Sequence, residues 1–205
     1  LIPLATLAIV HLFAVISPGQ SFLMVSRTAL ASGRPAALAA AAGMTLGVVP
    51  WVIGALLGLA LLFSRAAWLY NLLKVAGGLY LVYLAVQVWR HAAEPVRIGE
   101  EGTAATGLGN AFLTAALTQV ANPKVVVFFG SIFVSVLPAS PPAWMVLAII
   151  AIVLFNEAIW YILVAFLFSA ERPRAAYMGV KPWVDRLMAV ALGALGGRLI
   201  LDARS

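Results

Sequence analysis

The chain contains no cysteine, and its only two histidines, His11 and His91, stand far apart. Composition alone therefore excludes thiol-disulfide chemistry, haem attachment through cysteine, and iron-sulfur or cysteine-zinc sites. No ligand spacing surrounds either histidine, so neither a metal nor another cofactor is expected. A phosphate-cradling loop of the Walker type is also missing, which argues against ATP as the energy source. Paired catalytic carboxylates and a Ser-His set are absent as well, so the chain does not read as an enzyme. Charge is scarce: 10% of the 205 residues are Asp, Glu, Lys or Arg, against 64% hydrophobic, and the mean hydropathy is +1.06. A soluble domain of this length needs far more polar surface.

What is present is a series of long apolar runs. No charged residue lies between Arg34 and Arg65, a stretch longer than the roughly 20 residues a membrane-spanning helix requires. Similar runs predict an all-α membrane protein with six transmembrane helices, at about 3–26, 36–63, 67–90, 108–137, 143–169 and 183–202. Asp185, Arg186 and Arg198 crowd the last of these. The first run extends to Arg27 without a basic leading region, too long for the apolar part of a cleavable signal, and reads as a retained helix.

The formal charge of +6 and pI near 10.2 would point to nucleic acid in a soluble chain. Here the basic residues fall mostly between spans, so no nucleic-acid partner is expected. Arg27, Arg34, Arg90, Arg97, Arg172, Arg174 and Lys181 collect on one face, and Arg65, Arg204 and Arg198 are left for the other. By the positive-inside rule the richer face is cytoplasmic, and both termini are then periplasmic or extracellular. Trp51, Trp68, Trp89, Trp144, Trp183 and Tyr70 lie near span ends, as interface anchors do.

The stretch 92–107 is the one segment resembling a linker, a cytoplasmic one. It separates a first three-helix repeat (1–91) from a second (108–205), and an odd number of spans per half gives the two halves opposite orientations, hence an inverted repeat. Sequence similarity between the halves is slight, but each carries a proline in mid-span. Ser17-Pro18-Gly19 interrupts the first helix and Asn122-Pro123-Lys124 the fourth. Proline removes a backbone donor and clashes with the preceding turn, so both helices should be broken at Pro. Matched interrupted spans point to a transporter's binding site, where unwound backbone is tolerated because protein or water satisfies it.

Polar residues near these breaks are the candidate substrate-binding groups: Ser17, Pro18, Gly19 and Gln20 at the first, and Asn122, Pro123 and Lys124 at the second. Asn156 and Glu157 sit in the middle of the fifth span, where a carboxylate is costly unless paired, hydrated or protonated. Glu157 is the candidate proton-coupling or substrate-amine group, with a structural ion pair as the alternative. Lys124 and Glu157 lie at similar depth in antiparallel spans and could pair if helix rotation turns them together, with snorkelling of the lysine as the alternative. Lys74, Asn71 and Gln119 are secondary pathway candidates, Lys74 being shallow enough to snorkel. His11 reads as a packed neutral side chain, with a proton relay as the alternative. Gly43, Gly47, Gly54, Gly58, Gly77, Gly78, Gly193, Gly196 and Gly197 read as close-packing positions.

Ser17-Pro18-Gly19-Gln20, Arg27 with Gly33-Arg34, the segment from Leu73 to Leu84, and Asn122-Pro123-Lys124 followed by Phe128-Phe129 together make the chain resemble the LysE/RhtB family of amino acid exporters over nearly its whole length. The resemblance implies efflux of a small amino acid or derivative across the bacterial inner membrane, driven by the proton gradient through an inverted-repeat bundle. It also implies an acid at the position of Glu157, where aspartate is common in the family. Gln20 replaces a second proline usual after the first-span glycine, so the substrate does not transfer from better-known members. The expected partners are an amino acid, protons and membrane lipid, and a homo-oligomer is compatible with the chain. A lipid scramblase or a non-transporting assembly subunit is the alternative reading.

Overall fold

A computed structural model describes residues 2–17, 19–65, 67–94, 107–138 and 141–202. Among these every regular element is helical: α1 (Ile2–Ile16), α2 (Gln20–Gly47), α3 (Val49–Arg65), α4 (Ala67–His91), α5 (Leu108–Val120), α6 (Pro123–Val136), α7 (Ala143–Phe168) and α8 (Glu171–Asp202). Most of the 92–107 segment lies outside the described residues.

Both expected breaks are present. Helix α1 stops at Ile16, and α2 starts after Gly19, whose extended backbone (φ −167°, ψ −167°) gives it the N-cap position with no side-chain cap. The Pro18 between them lies outside the described residues. The second break is capped by a side chain: Asn122 Oδ1 accepts from the Lys124 amide at 3.0 Å, and Pro123 occupies the first helical position, where a missing N–H costs nothing. The paired halves Leu108–Val120 and Pro123–Gly130 are bent by 49°.

Two uninterrupted stretches, Gln20–Gly58 and Ala143–Phe168, are each long and apolar enough to cross a bilayer. The first has 39 residues, which at about 1.5 Å per residue is nearly twice a hydrocarbon core. It does not run straight. Gly33 takes φ 76° and ψ −179°, a region that only glycine occupies without strain, and Pro35 follows. Helix continues on both sides of Gly33, but its axis bends there.

Small residues set the closest helix contacts. A Cβ at Gly47 would stand 2.7 Å from the Ala116 carbonyl oxygen, and one at Gly43 would collide with the Phe112 carbonyl, so these positions, four apart, let α2 lie directly on α5. Gly196 does the same for α8 on α4, where a Cβ would meet the Gly78 carbonyl at 2.6 Å. Gly54 and Gly58, read from the sequence as packing positions, have no atom within 4 Å of such a Cβ. Their spacing is right, but among the described residues no neighbour presses on them.

Helix α2 packs on α5 and α7, α4 on α8 and α6, α1 on α7, and α3 on α6. Among the described residues two large apolar clusters result, with a third, small one of Val88, Met188 and Ala189 between α4 and α8. One joins α1, α3, α4, α6, α7 and α8 around Leu7, Ile132 and Ile149; the other joins α1, α2, α5, α7 and α8 around Phe22, Met44 and Val164. The two helix breaks lie where these clusters meet. At the other end of α4, Lys181 of α8 is buried and donates to the carbonyls of His91, Ala92 and Glu94 and to Asp185 Oδ2 at 2.7 Å. The charges that crowd the start of the expected last span are therefore used to tie α8 to the end of α4, and α8 runs helical through Pro182 from Glu171.

Candidate functional site

The breaks leave polar groups that an apolar bundle has to satisfy internally, and they do so by meeting each other. Lys124 Nζ donates to the Ser17 carbonyl at 2.9 Å, one of the acceptors left free where α1 ends. A Cβ on Gly19 would sit 3.9 Å from Lys124 Nζ, so the first break's backbone faces the second break's ammonium. From the other side, Asn122 Nδ2 donates to Ser21 Oγ at 2.8 Å, and Ser21 Oγ donates to Gln119 Oε1 at 2.6 Å. Gln119 Nε2 then donates to Glu157 Oε2 at 2.9 Å. This buried chain runs Asn122, Ser21, Gln119, Glu157 and connects α2, α5 and α7 at one level.

Glu157 is 2% exposed. Its second oxygen faces His11 Nε2 at 3.6 Å, and His11 is wedged against the rings of Phe128 and Phe129 with centroids 5.5 Å away. Asn156, one position before, turns to α1: its Nδ2 donates to the Ala8 carbonyl at 2.9 Å and lies 3.4 Å from His11 Nδ1. Because Ala8 offers only an acceptor, the amide must present its N–H groups to that side. His11 Nδ1 therefore faces an N–H group of Asn156, and its Nε2 faces Glu157.

These groups line a small cavity of about 30 Å³, so an amino acid enters it only when the surrounding side chains move apart. Glu157, Lys124, Gln119 and Asn122 make its polar wall; Phe22, Phe128, Phe129 and Tyr161 make its apolar wall. Tyr161 lines the same cavity as Ser21 and Glu157. A carboxylate and an ammonium thus share one enclosed space with several neutral donors and acceptors. Such an arrangement can receive both ends of a zwitterion and can hold or release a proton.

The structure brings together Ser17, Gly19, Asn122, Lys124, Glu157 and Gln119. Other candidates fall elsewhere. Gln20 is exposed on the far side of α2 and lines an outer groove instead of the cavity. Pro123 is exposed at the start of α6 and shapes the break without facing the cavity. Asn156 positions His11 and α1 from behind the wall. Lys74 and Asn71 are on α4, but their side chains lie outside the described residues. The expected direct pair between Lys124 and Glu157 is not made: both face the cavity, yet the lysine is held by Ser17 and the carboxylate by Gln119. Ser21, Tyr161 and His11 are the residues that sequence reasoning underweighted. Ser21 follows the first break directly, and His11 is the lone ionisable side chain in α1; those were the available signals.

The matches to known proteins fit this geometry. The LysE type translocator family model matches residues 12–203. The threonine efflux protein of Escherichia coli (strain K12) is 34% identical over 199 residues, covering 96% of this chain and 97% of that protein. The threonine efflux protein of Salmonella typhi is 33% identical over 204 residues, with the same coverages. The homoserine/homoserine lactone efflux protein of Salmonella typhimurium is 32% identical over 128 residues, 62% of this chain and 61% of that one. No solved structure matches the chain. With a family match over nearly its full length, transmembrane helices and a polar cavity between two broken ones, the chain belongs to the LysE type translocator family of membrane transporters.

Proposed function

We propose that this protein exports a small, neutral amino acid from the cytoplasm in exchange for protons, with Glu157 as the group that both ligands compete for. The observation that carries the reading is the enclosed acid and base at the meeting of the two breaks. With Glu157 ionised, the substrate's ammonium displaces Gln119 Nε2 as its partner, while Lys124 and the uncapped first turn of α2 receive the substrate carboxylate. Protonation of Glu157 from the opposite side removes the attraction for the ammonium and releases the amino acid. One carboxyl group cannot hold a proton and pair with an ammonium at once, which couples the two flows. Walls made by Phe22, Phe128, Phe129 and Tyr161 favour a short side chain, in keeping with relatives named for threonine and homoserine efflux. The binding set is Ser17, Gly19, Asn122 and Lys124, with Gln119 as the exchangeable partner of Glu157.

The architecture proposed for this function is six spans in two inverted repeats, 1–91 and 108–205. The packing supports it: α1 and the start of α2 lie on α7, and α5 and α6 lie on the end of α2 and on α3, the same relation with the halves exchanged. Arg34 stacks on Phe166 near the end of α7, and Lys181 closes the end of α4, which supports one basic end to the bundle. We assign that end to the cytoplasm of a bacterial inner membrane, with both termini on the other side.

Uptake of radiolabelled threonine into proteoliposomes holding no amino acid, with and without an imposed pH gradient, tests the reading. The wild type should accumulate label only when the gradient is present, and Glu157→Gln should retain gradient-independent equilibration at most. Gradient-driven accumulation by Glu157→Gln equal to wild type would remove Glu157 from the mechanism. Accelerated lipid flip without uptake of any amino acid would replace the transporter reading altogether.

A further inference from the structure

A second concavity, of about 370 Å³, lies outside the central cavity, between the first half of α2 and α5. Its lining is unexpected for these helices. Asn110, Thr114 and Thr118 follow one another at four-residue intervals along one face of α5, and Gln20, Arg27 and Thr28 face them from α2. Gln20, Arg27, Asn110 and Thr114 are exposed. Elsewhere the outward surface of the same helices is apolar, with Leu113 at 55% and Leu30 at 40% exposure. Leu23, Met24 and Ala111 also line the groove and Thr28 is satisfied by the Met24 carbonyl, but acyl chains against the exposed Gln20, Arg27, Asn110 and Thr114 would offer these groups no partner, a cost the bilayer core does not compensate. The strip needs water or a polar occupant.

The groove also leads somewhere. Asn110 is near the start of α5, and Thr118 is eight residues further in, about 12 Å deeper. At that inner end Gln20 and Thr118 line the groove, while their chain neighbours Ser21 and Gln119 line the central cavity. The partition is one residue thick on each helix and is closed by the Ser21 to Gln119 hydrogen bond of 2.6 Å. Arg27 stands toward the outer end, seven residues from Gln20, where a fixed positive charge attracts a carboxylate from solution.

We infer that this groove is a water-filled vestibule by which a zwitterionic amino acid passes from the cytoplasmic face to the central cavity, and that the Ser21–Gln119 contact is its inner partition. The inference rests on the export reading for the identity of the solute and for the direction of entry. Opening requires Gln119 to leave Ser21. Gln119 is also the partner that the substrate's ammonium displaces from Glu157, so arrival of the substrate and movement of the partition involve the same amide.

The chain has no cysteine, so single replacements report without background. Asn110→Cys, Thr114→Cys and Thr118→Cys are compared with Leu113→Cys and Ile159→Cys, whose parent residues are outward and apolar. The probe is a negatively charged, membrane-impermeant methanethiosulfonate, applied to inverted or right-side-out vesicles, and each variant is checked for monodispersity in detergent. From the cytoplasmic side, the three groove positions should react on the order of 100-fold faster than the two controls, because a charged reagent is excluded from hydrocarbon to about that extent. Threonine should slow labelling of Thr118→Cys, and labelling there should stop uptake. Groove rates equal to the controls, labelling from the opposite side alone, or spontaneous disulfide dimers through Thr114→Cys, which would make the groove a contact between copies, would each overturn the vestibule. Fast labelling that no amino acid in a broad panel slows would overturn it as a substrate path. Should Thr118→Cys not fold, Thr114→Cys carries the same comparison. The thiol rates are measured without substrate, so they judge the groove even if wild-type uptake fails and takes the export reading with it.

Discussion

Replacing Asn122 separates the two things this residue does at the second break. Its Oδ1 caps α6 by accepting from the Lys124 amide at 3.0 Å, and its Nδ2 reaches across to Ser21 Oγ at 2.8 Å, tying one break to the other. Removing an N-cap typically costs about 1 kcal/mol. A hydrogen bond between helices within a membrane averages about 0.6 kcal/mol, because the unfolded chain also finds partners there. Asn122→Ala should therefore destabilise by about 1.5 kcal/mol, roughly a tenfold change in the folded-to-unfolded ratio. Asn122→Ser keeps a cap of equal quality on a side chain too short to reach Ser21, so it should recover about 1 kcal/mol of the loss. Unfolding in mixed detergent micelles, followed by tryptophan fluorescence with SDS as the denaturant, provides the assay. Thr45→Ala serves as control, since that hydroxyl bonds only to the Ala41 carbonyl of its own helix. If Asn122→Ala unfolds at the wild-type SDS fraction, or if the serine variant is as unstable as the alanine one, the division into cap and cross-break tie is wrong.

Gly47→Leu should force α2 away from α5 and destabilise by at least about 1–3 kcal/mol, whereas Gly54→Ala, in open space on a helix, should be neutral or stabilising by up to about 1 kcal/mol; equal effects in the same unfolding assay would contradict the packing. Lys181→Met strands Asp185 and the last carbonyls of α4 in a buried place, for a loss of about 3–5 kcal/mol. The double variant Lys181→Met with Asp185→Leu should regain a large part of this in thermal melts, and failure to regain any would mean that the lysine's backbone contacts dominate.

Much of this site is legible in the residues because its local causes are strong. A proline in an apolar run breaks a helix wherever that helix goes, so both interruptions follow from Ser17-Pro18-Gly19 and Asn122-Pro123-Lys124. A glutamate in mid-span has to be enclosed, and Glu157 is. Rotation about each helix axis is not legible in the same way. Consecutive helical residues point roughly 100° apart, so Gln20 and Ser21 look equally eligible in the sequence, yet one faces the outer groove and the other the cavity. The same uncertainty separates Gly43 and Gly47, pressed onto α5, from Gly54 and Gly58, where a Cβ would meet none of the described residues.

Composition and spacing by themselves determined that the chain is helical and membrane-embedded, where its helices break and which side chains need shelter, since each of these is a local contest between backbone, proline or charge and an apolar surrounding. The choice of shelter belongs to the tertiary structure. It gave Lys124 the Ser17 carbonyl in place of Glu157, inserted Gln119 between the two breaks and the acid, and brought His11 from α1 to the same carboxylate. Those pairings depend on how helices distant in sequence are turned and seated against one another, which their packed surfaces decide together and none of their segments decides alone.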